Sequence, residues 1–277
     1  MSILKIAAFC DGHQGGNPAG IVIDDSLPSA QDMQRIAAEV GFSETVFATR
    51  LGSGWRVRYF SPSAEVPFCG HATIALGAAL ALQDGDGIFA LTLNETAITV
   101  EGTRSGDVVT AALQSPLTRS QPVAAPLVAE ALALLGFKPE DLDARIPPAR
   151  AHAGADHLVL MLSSRAALAG MRYDLEAGRA LMTREGWVTV LCGFAETPQQ
   201  FHVRNAFAYG GVYEDPATGA GAAALAGYLR DIAWPHRGHI DIIQGEDMGI
   251  VCRLRADISP TSGSSIRVSG TARMMQD

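Results

Sequence analysis

The chain has 277 residues, of which 48% are hydrophobic and 18% are charged, and its formal net charge is −8. This apolar content is enough for one large domain or two ordinary ones with a substantial core, and it argues against disorder. An acidic chain without a basic block is not expected to bind nucleic acid or an anionic membrane. Its apolar stretches are interrupted well short of about 20 residues, so we expect no membrane-spanning helix.

The N-terminal sequence lacks the apolar core and cleavage site of a signal peptide. Four cysteines, Cys10, Cys69, Cys192 and Cys252, lie far apart and form no C-x-x-C pair. Reduced thiols are the default for a chain of this size, and we expect a cytoplasmic protein.

Short alternating or β-branched runs predict strands along the whole chain. The first set is "ILKIAAF", "GIVID", "SETVFAT", "WRVRYF", "ALTL", "AITVEG" and "DVVTAAL", and the second is "HLVLML", "WVTVLCGF", "FHVRNAF", "HIDII", "GIVCRL" and "SIRVSGTA". In "WRVRYF", Trp55, Val57 and Tyr59 fall on one face, as a half-buried strand requires.

Helices are fewer, and the pattern predicts them at residues 29–39, 71–82, 125–136, 175–184 and 219–231. Ser29 with Asp32 three residues later is typical of a helix start. Strands that outnumber helices and occur in runs predict the α+β class rather than a Rossmann-like alternation.

The proline-rich segment 113–126 is the best candidate for a linker between two halves. We therefore predict an N-terminal half over residues 1–118 and a C-terminal half over residues 119–265. The C-terminal strand, residues 266–277, is expected to return to the first half.

One sequence pattern occurs twice. Residues 65–80 and 214–229 align without a gap at an offset of 149, and Glu, Pro, Gly, Ala, Leu and Leu coincide. An offset close to half the chain length favours an internal duplication, in which each half has a central helix. A helix that is small and apolar all round is buried, and its first N–H groups need partners.

We expect the two helix starts to meet in one cleft and to hold a carboxylate or an enolate between their positive dipole ends. The alternative is that Gly70 and Gly219 only allow the helices to pack closely.

Five motifs together resemble the PhzF-like family, named for an isomerase of phenazine biosynthesis. They are "GNPAGIV" (16–22), "GFSETVF" (41–47), "YFSPSAEVPFCGHAT" (59–73), "EDPATGAGAAALAGYL" (214–229) and "QGEDMG" (244–249). The resemblance implies a diaminopimelate epimerase-like fold, in which two pseudo-symmetric halves each have a β-barrel-like sheet around a central helix. It also implies a homodimer, an active site between the halves and no cofactor.

The same resemblance implies three catalytic residues, which are Glu44 in "SETVF", His71 in "GHAT" and Asp215 in "EDPATG". It implies that substrate is bound by Asn17 and by the helix starts, at Gly70, His71, Gly219 and Ala220.

The residues themselves support a role for Glu44. Alternation places it on the same strand face as Phe42 and Val46, and a carboxylate among apolar neighbours is expected to have a raised pKa, which suits a proton shuttle. The alternative is an edge-strand glutamate that faces water. The alternative for His71 is a helix-start or core histidine without a catalytic role. The alternative for Asp215 is a helix cap.

Two departures from the family pattern bear on the substrate. Ala220 stands where the phenazine enzyme has a serine, and "QGEDMG" continues with Ile250-Val-Cys252 where Arg-Pro-Ser is common in the family.

Two other functions compete with the isomerase interpretation. A thiol racemase or epimerase could use Cys69 with Glu44 as an unequal pair, and a duplicated fold can also serve as a non-catalytic binding protein for small molecules.

The glycine pattern Gly219-x-Gly221-x-x-Ala224 is similar to a dinucleotide-binding motif. It lacks the buried strand that precedes such a motif, so a dinucleotide-binding oxidoreductase is not expected.

The pairs His236/His239 and His152/His157 lack acidic or thiol companions at ligand spacing, so no metal is expected.

The sequence therefore predicts a cofactor-independent isomerase that moves a proton on a small, carboxylate-bearing substrate, with Glu44 as acid and base.

Overall fold

The computed structural model describes residues 2–275, so the end of the segment predicted to return to the first half, residues 276 and 277, lies outside the described residues. The chain forms two units. The first runs up to Gln114 and resumes at Ser269, and the second is Ser115–Val268. None of the helices in residues 2–275 combines the length and the hydropathy that a bilayer crossing requires.

The strands of the described chain are β1 Leu4–Ala8, β2 Asn17–Ile23, β3 Thr45–Leu51, β4 Gly54–Phe60, β5 Glu65–Val66, β6 Gly87–Thr92, β7 Ala97–Ser105, β8 Val108–Gln114, β9 Thr118–Pro122, β10 Ala149–Ala153, β11 Asp156–Leu162, β12 Thr189–Ala195, β13 Gln200–Ala206, β14 Glu214–Asp215, β15 His239–Gln244, β16 Cys252–Asp257 and β17 Arg267–Met274. The α-helices are α1 Ala30–Val40, α2 Gly70–Asp84, α3 Ala125–Leu135, α4 Arg165–Ala169, α5 Leu175–Glu185 and α6 Gly219–Asp231.

The first unit is a closed barrel around α2. Its eight strands, all within residues 2–275, pair in the order β1, β2, β3, β4, β6, β7, β8 and β17, and β17 pairs again with β1. The β2–β3 and β4–β6 pairs are parallel. The helix packs against β1, β2, β7 and β8, and its residues from Gly70 to Ala81 are buried.

Small residues let the barrel close on this helix. A Cβ at Gly77 would lie 2.5 Å from a methyl carbon of Val100, and a Cβ at Gly102 would lie 2.3 Å from the Gly77 carbonyl oxygen. Larger side chains at either position would push the helix away from the sheet.

The second unit repeats this plan around α6. Strands β9, β10, β11, β12, β13, β15 and β16 pair in that order, and the β11–β12 and β13–β15 pairs are parallel. The helix packs against β9, β10, β11, β15 and β16. The helices α3, α4 and α5 contribute to a separate apolar core that includes Leu132, Leu168 and Met182.

The two units share a hairpin register as well as a strand order. In the first unit Phe60 pairs with Glu65 ahead of α2, and in the second Ala206 pairs with Glu214 ahead of α6. The α+β class, with a barrel-like sheet around a central helix in each of two similar halves, is therefore confirmed.

The segment 113–126 is not an open linker, because it contains β9 and the start of α3. Strand β9 pairs antiparallel with β10, with Pro122 opposite Ala149. In β10, only alanines occupy the buried positions, so the apolar alternation was too weak to predict a strand there.

Candidate functional site

The start of α2 in the first unit is held by the hairpin β4–β5. Arg58 donates to both carboxylate oxygens of Glu65, from Nε to Oε1 at 2.8 Å and from Nη2 to Oε2 at 2.6 Å. Hydrogen bonding by Arg58 lowers the pKa of the Glu65 carboxyl and keeps it ionised. The pair therefore fixes β5 immediately before the segment that leads to Cys69 and Gly70.

A second contact fixes the first turn of the helix itself. Thr73 Oγ1 donates to the Cys69 carbonyl at 2.7 Å and lies 2.7 Å from Tyr59 Oη. Burial raises the pKa of the Tyr59 phenol, so it stays neutral as a hydrogen-bonding group. The amides of Gly70 and His71 lie in the first turn, where N–H groups have no acceptor one turn earlier in the helix.

Glu44 lies just before β3 and not within a strand. The expectation that it shares a strand face with Phe42 and Val46 is therefore wrong. Gly41 ends α1 in the left-handed conformation, and the chain then needs the residues up to Glu44 to reach the start of β3 at Thr45. The Glu44 carbonyl accepts the N–H of Gly20 at 3.2 Å, which fixes this residue directly before the first residue of β3. Its carboxylate is nevertheless buried, with 8% of the residue exposed.

His71 connects the polar groups of this region. Its Nε2 lies 3.4 Å from Glu44 Oε2 and 3.4 Å from Ser43 Oγ, and its Nδ1 lies 3.3 Å from Cys69 Sγ. The imidazole is buried, with 4% of the residue exposed. The structure thus brings Glu44, His71 and Cys69 together, as three groups that can accept or donate a proton.

Ser43 was missed by the sequence reasoning, although it belongs to the quoted "SETVF" motif. A serine beside a catalytic candidate carries no signal of its own until the contact with His71 is known.

Asn17 is the first residue of β2 and is 2% exposed. It follows Gly16, whose φ of +88° is unfavourable for a side chain and where a Cβ would lie 2.6 Å from Cys10 Sγ. The "GNP" motif thus contains a turn that only glycine allows, directly before a buried amide side chain.

The start of α6 in the second unit is held by a buried ion pair. Arg204 Nη2 donates to Glu214 Oε2 at 2.7 Å, and its Nε donates to Oε1 at 3.1 Å. Arg204 Nη1 also donates to the carbonyls of Ala169 at 3.0 Å and Met171 at 3.2 Å. The pair fixes β14, whose second residue is Asp215.

Gln244 joins the two ends of the loop before α6. Its Nε2 donates to the Asp215 carbonyl at 2.6 Å and to Thr218 Oγ1 at 3.1 Å, and its Oε1 accepts the Thr218 N–H at 3.2 Å. Thr218 Oγ1 in turn donates to the Asp215 carboxylate. Gly219 and Ala220 follow as the first residues of α6.

The positioning function of Gln244 was not predicted, although "QGEDMG" was recognised as a motif. Its partners are 26 and 29 residues away in the chain, so no local pattern reveals the contact.

One group of side chains in the described residues has the composition of a metal site. Glu44, Cys69 and His71 each offer one ligand atom, and the three atoms lie within 4.8 Å of one another. From the sequence no metal was expected, and the histidine pairs that were considered, His236/His239 and His152/His157, were interpreted as surface residues. Of these, His157 is fully buried and lies 2.7 Å from Thr189 Oγ1 through Nδ1, and burial lowers its pKa to about 4.

A family model described as phenazine biosynthesis-like protein, PhzC-PhzF, matches residues 6–277. The chain belongs to this family. A trans-2,3-dihydro-3-hydroxyanthranilate isomerase from Pseudomonas aeruginosa is 32% identical over 271 residues, which cover 96% of this chain and 94% of the relative.

Solved structures agree on the fold. A PhzF-family phenazine biosynthesis protein from Bacillus anthracis superposes with a TM-score of 0.87 at 22% identity, covering 99% of this chain and 96% of the other. A probable proline racemase from Agrobacterium radiobacter superposes with a TM-score of 0.63 at 10% identity, covering 99% and 92%. The expected relationship to racemase- and epimerase-like folds is confirmed.

Proposed function

We propose that this chain is an isomerase that moves a proton along a small, carboxylate-bearing substrate without a cofactor. The isomerase class follows from the family and from the named activity of the Pseudomonas relative. The observation that carries the finer proposal is the buried carboxylate of Glu44, 3.4 Å from His71 Nε2 at the first turn of α2.

In the proposed reaction, Glu44 removes a proton from one carbon and returns it to another. A single carboxylate can do both, because each half-step restores the protonation state that the next one needs. His71 would polarise the substrate while its negative charge is delocalised. The positive end of α2 would stabilise that charge through the amides of Gly70 and His71.

The remaining predicted residues are proposed to bind substrate. Asp215, whose carboxylate accepts from Thr218 Oγ1, would hold or polarise the substrate together with His71 during catalysis. The amides of Gly219 and Ala220, the first residues of α6, would bind its carboxylate. Asn17 presents a buried amide, which can donate to a carboxylate. Alanine replacement of Asn17 or Asp215 should raise KM or lower kcat while leaving the protein folded.

The proposed substrate is a small carboxylic acid. It is of the same general class as the dihydro-hydroxyanthranilate of the Pseudomonas relative, but that compound itself is not assigned as the substrate. Ala220 has no hydroxyl to offer, so a contact available from a serine at that position is missing. A screen of cyclic dienes and amino acids for turnover and for thermal stabilisation would identify the substrate, and turnover of any of them would exclude a non-catalytic binding protein.

Glu44→Gln tests the proposal, because it keeps the shape of the side chain and removes the base. Turnover should fall by at least ~10²-fold, the usual scale of general acid–base catalysis, with little change in substrate affinity. The matched control is Glu39→Gln, in an exposed glutamate of α1 that pairs with Arg35. Wild-type turnover by Glu44→Gln would refute the mechanism.

A thiol-dependent racemase or epimerase is the second candidate, because Cys69 Sγ lies 3.3 Å from His71 Nδ1. Cys69→Ser should retain most of the activity if Glu44 acts alone. A loss of several orders of magnitude in a folded variant would favour Cys69 and Glu44 as an unequal pair of proton carriers.

A homodimer in the cytoplasm completes the proposal, as the family resemblance implies. Light scattering at working concentration gives the oligomeric state, and a monomer would refute that part alone.

A further inference from the structure

The geometry points to a second use of the Glu44, Cys69 and His71 side chains, which we call the ECH cluster. We propose that it binds Zn²⁺, or a metal of the same softness, and that bound metal blocks the isomerase. The blocking step rests on the proposed function, whereas metal binding does not.

The ligand types in the ECH cluster select the metal. Thiolate, imidazole and carboxylate are the three ligand classes of protein zinc sites, and three protein ligands with one open position are typical where the metal remains accessible. Mg²⁺ and Ca²⁺ prefer sites made of oxygen ligands, so the sulfur and nitrogen donors favour Zn²⁺, Cd²⁺ or Co²⁺ over both.

The three ligand atoms of the ECH cluster lie close to a common centre. Three ligand atoms separated by no more than 4.8 Å lie at most about 2.8 Å from a common centre, compared with zinc bonds of about 2.0–2.3 Å. One metal ion can use only one ring nitrogen of His71, so the side chain that contacts the other nitrogen, Glu44 at Nε2 or Cys69 at Nδ1, would turn towards the metal. Glu44 lies in the turn before β3 and Cys69 precedes α2, so neither side chain projects from the middle of a rigid element.

The charge of the ECH cluster also suits a divalent cation. The positive end of α2 would oppose a cation by itself. One thiolate and one carboxylate neutralise Zn²⁺ completely, however, and leave the helix end facing a neutral complex.

A bound metal would inhibit through Glu44. A carboxylate oxygen that is a metal ligand cannot accept a proton from carbon, and His71 could no longer polarise the substrate through the coordinating nitrogen. The metal would also occupy the space next to the α2 amides. Inhibition should therefore be competitive with substrate and reversed by a chelator.

The direct test is a titration of the untagged, full-length protein with Cd²⁺ and Co²⁺, because thiolate ligands give both metals an ultraviolet charge-transfer absorbance. We expect a saturable band at equimolar metal. Cys69→Ser should abolish the band and weaken Zn²⁺ binding, measured by competition with a chromophoric chelator, by at least about tenfold. Cys69→Ala repeats the test with a smaller side chain.

The matched control is His236→Gln combined with His239→Gln, which removes the histidine pair of the β15 region without touching the ECH cluster. This variant should bind Cd²⁺ as the wild type does. An unchanged band in Cys69→Ser, or no band at equimolar metal, would overturn the proposed site.

Inhibition is measured separately on the wild type with its substrate. Zn²⁺ should raise KM at constant kcat, and a chelator should restore the rate. Stoichiometric Cd²⁺ binding without inhibition by Zn²⁺ would overturn the proposed block. Undiminished turnover by Glu44→Gln would refute the isomerase mechanism instead. The Cd²⁺ and Co²⁺ titration would still show whether the ECH cluster binds metal.

Discussion

The starts of α2 and α6 are built on the same hairpin but are stabilised to different degrees. In the first unit, the Arg58 and Glu65 side chains are 21% and 28% exposed, whereas those of Arg204 and Glu214 in the second unit are 9% and 3% exposed. The equivalent ion pair is therefore partly exposed to solvent in one unit and buried in the other.

The two starts also differ in the side chains that surround them. At the start of α2, Glu44 and Cys69 each lie within 3.4 Å of a ring nitrogen of His71. At the start of α6, the Asp215 carboxylate accepts a hydrogen bond from Thr218, and the Asp215 carbonyl accepts one from Gln244. Thus one copy of the repeat brings together groups that can accept or donate a proton, and the other has a set of hydrogen bonds that join its loop to the start of the helix.

The largest expected effect concerns the two ion pairs. Arg204→Met should lower the free energy of unfolding by about 3–5 kcal/mol, because it leaves the buried Glu214 carboxylate without its partner. Arg58→Met should cost only about 0–1 kcal/mol, because water solvates Glu65. Urea unfolding of both variants measures the difference.

A double variant, Arg204→Met with Glu214→Leu, serves as the control and should recover much of the lost stability, since no unpaired charge remains. Equal losses for Arg58→Met and Arg204→Met would contradict the contrast drawn between the two pairs.

Gln244→Glu tests whether the hydrogen bonds of Gln244 to Asp215 and Thr218, at the start of α6, support activity. The variant loses the donor to the Asp215 carbonyl and to Thr218 Oγ1, and it brings a second carboxylate close to Asp215. We expect kcat/KM to fall about tenfold, the scale of one or two lost hydrogen bonds. Gln121→Glu in β9, at an exposed position, makes the same chemical change away from both helix starts and should leave kcat/KM unaltered.

If Gln244→Glu keeps the wild-type kcat/KM, the loop before α6 has no part in substrate binding. Circular dichroism and thermal unfolding of the variant separate this outcome from a general loss of structure.

Much of this contrast could not be predicted from the sequence. Alternating runs such as "WRVRYF" predicted the strands correctly, since Trp55, Val57 and Tyr59 are buried together. The repeat located both central helices through the spacing of Glu65 and Glu214. These are local patterns, and local patterns report which face of an element is buried.

The contacts that distinguish the two starts are tertiary. Arg204 reaches carbonyl oxygens more than 30 residues away, and Gln244 reaches Asp215 across 29 residues. Glu44 was identified by its motif, but its position before the strand depends on where Gly41 ends α1. Such details require the paths of several elements to be known at once.

A further difference between the units gives an effect that depends on pH. Thr45 and Thr189 begin β3 and β12, and their partners on the neighbouring strand are Gly20 and His157. Burial lowers the pKa of His157 from its ordinary value of 6.5 to about 4. The folded state therefore keeps this imidazole neutral at a pH where the unfolded chain protonates it.

Stability from His157 should be complete above about pH 6.5 and should decline as the pH falls towards 4, by about 1 kcal/mol per pH unit. His157→Gln should flatten the dependence in that window, as measured by urea unfolding at each pH. Hydrogen exchange should show amides of β11 and β12 losing protection before those of β2 and β3. The opposite order would place the acid-sensitive group elsewhere.

In the proposed mechanism, the carboxylate of Glu44, near the start of α2, both takes and returns the substrate proton. Turnover in D₂O followed by mass spectrometry tests it most directly, because a proton held on a carboxyl group can exchange with solvent between the two half-steps. Wild-type enzyme should place deuterium at the new C–H position in at least part of the product, and Glu44→Gln should form product at least ~10²-fold more slowly. Product formation by Glu44→Gln at the wild-type rate, with the same deuterium content, would contradict the account.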